Sequence, residues 1–262
     1  MVRKNLTYSQ KRDIHESLDR REEQLNERLK DVATGKSHPR NWNKRLNEPK
    51  SYHIATVFID IDHFTEYLLN NGKRATLYML GLFIPEAMRV INEYDGYFEK
   101  NTGDGLLAYF GFGKSAQESV SDVLQYITTI RWVLSHEVNP RLEELNVQPV
   151  TVSSGAAYGE AYLAEIGTPS RDASLKRLTA VSPQVNTAFQ LETQAGDDEH
   201  LVGPAIEYHA DEDDQEYLLL EDIYDQYQWA NPETEEMEPY AIYRYGGEWM
   251  EDTVPLEEEV EG

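Results

Sequence analysis

The chain has 262 residues, 40% of them hydrophobic, a net charge of −24 and no cysteine; that suits one medium domain with extensions and excludes disulfides, thiolate zinc sites and a cysteine nucleophile. Residues 1–50 hold 13 Lys/Arg against 8 Asp/Glu, whereas residues 197–262 hold 23 Asp/Glu and a single basic residue, Arg244, a surface that repels nucleic acid and anionic lipid, so neither is expected as a partner. The first residues lack the apolar core of a signal peptide and no stretch approaches the roughly 20 apolar residues of a membrane span, so a cytoplasmic protein is expected.

Ile14, Leu18, Leu25, Leu29 and Val32 recur near a helical period, which predicts a charged helix over residues 9–33 with one apolar stripe. Such a stripe needs cover from its own domain or from a partner chain, and the partner is preferred; residues 1–50 are set apart as an N-terminal helical arm. A compact domain is expected over residues 51–247, opening with a β-branched, buried strand at 53–60. A long helix at 65–93 follows, kinked by Pro85. Two short strands, 97–101 and 106–110, flank Thr102-Gly103-Asp104-Gly105, where glycine supplies the positive φ of a hairpin. A second helix covers about 115–138, with strands near 149–157 and 161–166. Residues 167–182 read as polar and irregular, a helix starts after Pro183, and the last strand is 240–245. The order is βαββαβ with additions, a ferredoxin-like, palm-type α+β sandwich. Residues 248–262 form an acidic tail expected to be disordered.

Two segments carry chemistry. In Phe58 to Thr65, Asp60 stands at the end of a buried strand, where a carboxylate is costly unless paired or bound to a cation, while Asp62 is expected to face solvent or cap the following helix. The helix beginning near Thr65 offers unpaired amides to an anion. In Lys100 to Gly105, Asp104 sits in the tip of the hairpin that neighbours this strand in a palm sheet. Asp60 and Asp104 together are therefore candidates for a pair of Mg²⁺ or Mn²⁺ ions, an arrangement suited to in-line displacement at phosphorus. Taken singly, Asp60 also suits a helix N-cap and Asp104 an ordinary turn.

These segments resemble the class III nucleotide cyclases, in which Phe-x-Asp-Ile-x-x-Phe-Thr is followed by a Lys-x-x-Gly-Asp hairpin. The run from Ser154 to Gly167 resembles the family's Gly-rich strand-turn-strand, residues 178–192 its ribose motif, and residues 238–245 its last strand. The resemblance covers about residues 52–247. It implies that Asp60, Asp104 and the Ile61 carbonyl bind two metal ions and that amides around His63, Phe64 and Thr65 hold the triphosphate. Lys100 and Thr179 fall at base-reading positions and Asn186 at the ribose-orienting one. It also implies a head-to-tail homodimer, each site composed from both subunits. One departure matters: the family's transition-state arginine is Gln190 here. An arginine at such a position is worth several orders of magnitude in rate, and Arg171, Lys176 or Arg177 is the expected substitute.

Lys100 donates hydrogen bonds and accepts none, which argues against GTP and leaves UTP, CTP and ATP, in that order of preference. The subgroup suggested is the pyrimidine cyclases of bacterial anti-phage (Pycsar) systems, compact enzymes without attached receptor modules that make cyclic UMP or cyclic CMP; the same build is expected here. Tyr52, at the start of the first strand, is a candidate to fill the space beside a small base. Two other readings compete. The diguanylate cyclases share the palm plan but need a Gly-Gly-Asp/Glu-Glu-Phe turn, absent here. A non-catalytic, nucleotide-binding module is suggested by Gln190.

Overall fold

The computed structural model describes residues 8–41, 48–167 and 176–249. Its centre is strand β2 (Lys50–Ile61), after a helix α1 (Tyr8–Arg28) and a two-residue strand β1 (Ala33–Thr34). Along β2, Ala55, Val57, Ile59 and Ile61 enter one core while Tyr52 and Ile54 enter another. This period of two is what a strand imposes on its side chains, and it puts Asp60 on the second face. The strand pairs antiparallel with β4 (Leu106–Phe110) on one edge and with β5 (Val152–Gly167) on the other.

The first face is covered by α2 (Phe64–Glu93) and α3 (Ala116–Trp132), whose apolar residues complete the larger core. Helix α3 starts at Ser115, whose hydroxyl accepts from the Glu118 amide while Glu118 returns a bond to the Ser115 amide, a capping box that satisfies two otherwise orphaned donors. It ends at Trp132 in a π-helical turn, Val133–Val138, followed by α4 (Asn139–Glu144), so the helix expected to 138 is two pieces, with α4 continuing beyond it. Pro85 lies inside α2, and the helix is broken at Gly72, with φ 75° and ψ 164°; only glycine takes that conformation without steric cost.

The full sheet runs β3-β4-β2-β5-β7-β9-β8, where β3 is Tyr97–Asn101, β7 His200–Val202, β8 Leu218–Ala230 and β9 Met237–Tyr245. Strand β6 (Lys176–Val181) pairs with the far half of β5. The core order β2-α2-β3-β4-α3-β5 is the expected βαββαβ, and the ferredoxin-like α+β sandwich is what forms. Two expectations are corrected: β5 is one continuous strand rather than strand-turn-strand, and β6 replaces the irregular stretch over its six residues. Strand β8 was not foreseen. No helix among the described residues is long and apolar enough to cross a membrane.

The glycines of β5 have a packing role. Helix α5 (Pro183–Gln194) lies across the second face of β5 and β2. A Cβ on Gly155 would stand 2.2 Å from the Ala188 carbonyl oxygen and 2.2 Å from the Glu192 amide. The domain also begins earlier than residue 51. Tyr52 is 2% exposed and its hydroxyl donates to the Ser37 carbonyl at 2.9 Å. His38 and Pro39 are buried as well, so the segment from Ala33 to Asn41 belongs to the domain. On α1, Leu18 and Leu25 are exposed in the single chain, and Leu29 and Val32 lie past the helix end.

Gly155→Ala forces backbone against backbone. It is expected to destabilise the fold by about 1–3 kcal/mol, the usual cost of overpacking, and to lower the melting temperature by several degrees. Thermal melting by circular dichroism checks this; an unchanged midpoint would show that α5 lifts away freely.

Candidate active site

Asp60 projects from the next-to-last residue of β2, and Asp104 from the hairpin between β3 and β4. The tip is closed by a bond from the Thr102 amide to the Gly105 carbonyl at 2.9 Å, with Gly103 at φ 115°, the positive φ the sequence predicts. Gly105 then passes so close to β2 that a Cβ there would stand 2.5 Å from Asp60 Oδ1 and 2.6 Å from the Ile59 carbonyl oxygen. The tip therefore closes on Asp60, and Asp104 lines the same pocket.

Burial, then Asp104, then Glu192 push the Asp60 carboxyl up to about 7. Like charges held this close disfavour double ionisation. Glu192 on α5 is itself raised, first by burial and then by Asp104 and Asp62. The sequence reading missed Glu192 as a member of this cluster, because only the seating of α5 on Gly155 brings it there. Among the described residues no group of three or more side chains has metal-binding geometry; the donor set is the aspartate pair. A half-buried carboxylate pair whose charges repel fits a divalent cation, which would favour both charges.

Beside the pair lies an open pocket of about 460 Å³ lined by Asp60, Ile61, His63, Phe64, Thr65, Glu66, Leu69 and Asp104. Helix α2 begins here with no side-chain cap: His63 is its N-cap in the left-handed region, φ 52°, without a capping bond. Amides of its first turn are left to face the pocket, a natural place for anionic oxygens. The loop is held from behind. Asp62 Oδ2 accepts from the Asp198 amide at 2.9 Å, and His63 Nε2 bonds Asp197 at 2.9 Å, which raises the His63 pKa. Asp62 is thus a loop anchor, neither free in solvent nor a helix cap.

The remaining expected residues lie elsewhere in the chain. Lys100 is exposed on β3, Thr179 half-buried and Arg177 exposed on β6, and Asn186 and Gln190 are exposed one helical turn apart on α5. None of these lines the Asp60–Asp104 pocket of the same chain. Arg171 lies outside the described residues. Tyr52 is corrected: its ring is packed edge-on against Phe112 at 5.4 Å beneath Gly35, so it is a core residue with no surface to offer a base.

A carboxyl raised in the folded state binds its proton more tightly there than in the unfolded chain. The stability contributed by Asp60 is thus present below about pH 4 and lost as pH rises toward 7. In metal-free protein the decline in melting temperature across that window is expected to be shallower for Asp60→Asn than for the native chain. Mn²⁺ is expected to raise the native midpoint at pH 7.5 more than that of the variant. Parallel curves in both experiments would exclude a cation site at Asp60.

No family model matches the sequence. Two curated relatives, both cytidylate cyclases, align: one from Escherichia coli at 23% identity over 176 residues, covering 64% of this chain and 37% of its own length, and one from Staphylococcus aureus at 18% over 166 residues, covering 63% and 39%. The chain thus spans about two fifths of the length of these relatives. Among solved structures, the adenylyl cyclase CyaB from P. aeruginosa superposes with a TM-score of 0.62 at 18% identity, over 77% of this chain and 97% of that one. The guanylyl cyclase Cya2 gives 0.61 at 19%, over 79% and 98%. A class III adenylyl cyclase-like ATP-binding protein from Pseudomonas aeruginosa gives 0.63 at 16%, over 82% and 50%. The chain thus has the fold of the adenylyl and guanylyl cyclases among these structures, and its sequence is similar to parts of the two cytidylate cyclases.

Proposed function

We propose that the chain is the catalytic domain of a metal-dependent pyrimidine nucleotide cyclase. It would convert UTP or CTP to the 3′,5′-cyclic monophosphate and pyrophosphate as a homodimer with composite sites, acting in anti-phage signalling. The observation that carries the reading is the Asp60–Asp104 pair, closed by Gly105 beside an uncapped helix start. The pyrimidine part rests on the names of the two relatives, which favour CTP over the UTP expected first from the sequence. The anti-phage role rests on the resemblance alone.

In ring closure the O3′–Pα bond forms, the bond from Pα to the pyrophosphate oxygen breaks, and the 3′-hydroxyl proton passes to solvent. Divalent cations at Asp60, Asp104 and the Ile61 carbonyl would supply acidification of that hydroxyl and charge neutralisation on the leaving group. The chain's own contribution is placement. The first-turn amides of α2 at Phe64 and Thr65 hold the phosphates, and Asn186 orients the ribose. Lys100 and Thr179 contact the base. Because the last three do not line the Asp60 pocket of their own chain, a second copy would bring them. Exposed Tyr162 and Val181, paired across β5 and β6, support such an interface, since neighbouring exposed apolar groups favour burial against a partner. Gln190 gives no charge to the transition state; Arg177, Lys176 and Arg171 are the candidates to replace it.

A second reading, a nucleotide-binding module without catalysis, is favoured by Gln190 and by the likeness to the ATP-binding cyclase-like protein.

Incubation with Mn²⁺ and each of the four ribonucleoside triphosphates, with mass spectrometry of products, is expected to yield a cyclic monophosphate from a pyrimidine nucleotide and none with Asp60→Ala. Binding without product would support the module. Gln190→Arg is expected to raise kcat at least about tenfold if no other cation serves the transition state; an unchanged kcat, together with a large loss in Arg177→Ala, would assign that role to Arg177.

A further inference from the structure

Strand β3 has a bulge that brings a second charged group to the base-reading region. Phe98 pairs with Ala108 and Lys100 with Leu107, so Glu99 is the extra residue between them. Without the bulge, Glu99 and Lys100 would alternate faces; with it, both stand on the side of Leu107 and Tyr109. The Tyr109 hydroxyl donates to the Glu99 carboxylate, and the Ala180 amide of β6 points at the same group. Thr179, the other base-reading candidate, adjoins Ala180. Burial raises the Glu99 pKa, opposed by the Tyr109 bond, Lys100, the Ala180 amide and Arg177. Glu99 is only half-buried, and a carboxylate offers about four acceptor positions, so Tyr109 and Ala180 leave it acceptor capacity.

We propose that Glu99 reads the exocyclic amine of the base beside Lys100, so that the pyrimidine selected is cytosine rather than uracil. The proposal rests on the cyclase reading above. The reasoning is the order of groups along the base edge. Cytosine presents its donor, the N4 amine, at one end, with the acceptors N3 and O2 following. A carboxylate beside an ammonium matches that segregated order: N4–H to Glu99, N3 or O2 to Lys100. Uracil alternates, with its one donor, N3–H, between two carbonyls. If N3–H meets Glu99, one carbonyl reaches Lys100 and the other is pressed against the carboxylate. An acceptor facing an acceptor in a partly desolvated site is left unpaired, and such mismatches discriminate strongly.

The test compares CTP with UTP on the full chain. Affinities are measured for 3′-deoxy-CTP and 3′-deoxy-UTP, which lack the attacking hydroxyl and bind without turnover, and kcat/KM is measured for the natural nucleotides. Native protein is expected to favour cytosine in both. Glu99→Gln keeps the side-chain shape and an acceptor for Tyr109 but can turn an N–H toward the base. It is expected to lower the CTP-to-UTP ratio by about tenfold or more, with its melting temperature confirming a folded chain. A native preference for uracil overturns the proposal without any variant, as does an unmoved ratio in a folded, active Glu99→Gln. Failure to bind or cyclise any nucleotide overturns the cyclase reading and this proposal with it, a result distinct from either.

Discussion

Strand β2 is bonded on both edges, to β5 from Lys50 to Ile61 and to β4 from Ala55 to Ile59. A slip of one residue would exchange its faces, putting Ala55, Val57 and Ile59 outside and Asp60 into the apolar space under α2 and α3. That exchange would sacrifice a continuous core and bury a carboxylate among hydrocarbons, so the register is fixed by packing. The β4 pairing also sets where the β3–β4 hairpin ends, and hence where Asp104 stands. The site is a consequence of the register of a single strand.

The same frame forces together groups that repel. Gly105 allows the hairpin tip to close on Asp60, and Gly155 allows α5 to settle until Glu192 joins the field of Asp104. Each closeness depends on a missing Cβ and would relax if either backbone moved away. A scaffold that holds carboxylates against their mutual repulsion gives up stability for the sake of a site, and here the favourable packing of α2 and α3 on the first face of the sheet carries that cost. The larger apolar core and the carboxylate cluster are thus on two sides of one sheet.

What could be read in advance followed from local rules. The strand at 53–60 and the turn at Gly103 declare themselves through β-branched residues and turn chemistry, and Asp60 and Asp104 follow from those two elements. What could not be read depended on distant partners. Gly155 and Gly159 look like turn residues, but they are where a helix meets a strand. Pro85 looks like the breaker of α2, yet it lies inside the helix and the non-helical residue is Gly72. Strand β8 hides its alternation under acidic residues. Tyr52 sits at the mouth of a strand in the sequence and beneath Gly35 in space. Glu99 and Glu192 gain meaning only from a bulge and from a helix seating, neither of which leaves a periodic signal.

The charge distribution bears on how such a site can work. On the proposed function a chain of net charge −24 receives a polyanion, and long-range attraction cannot do the steering. Local fields must. Lys100, Lys176 and Arg177 are carried on β3 and β6, two strands in contact, while β7, β8 and β9, from the acidic part of the chain, lie toward the opposite edge of the sheet. Within that basic patch Glu99 is the exception. Placing an anion among cations weakens the pull on phosphates, so a carboxylate there works against electrostatic capture. Solvent exposure would have been the simplest way to accommodate an acidic residue at this position; instead a bulge turns it inward, where Tyr109 and the Ala180 amide hold it. The arrangement makes chemical sense when the group arriving at Glu99 is a donor on the base, with phosphate charge handled elsewhere, at the aspartate pair and the start of α2.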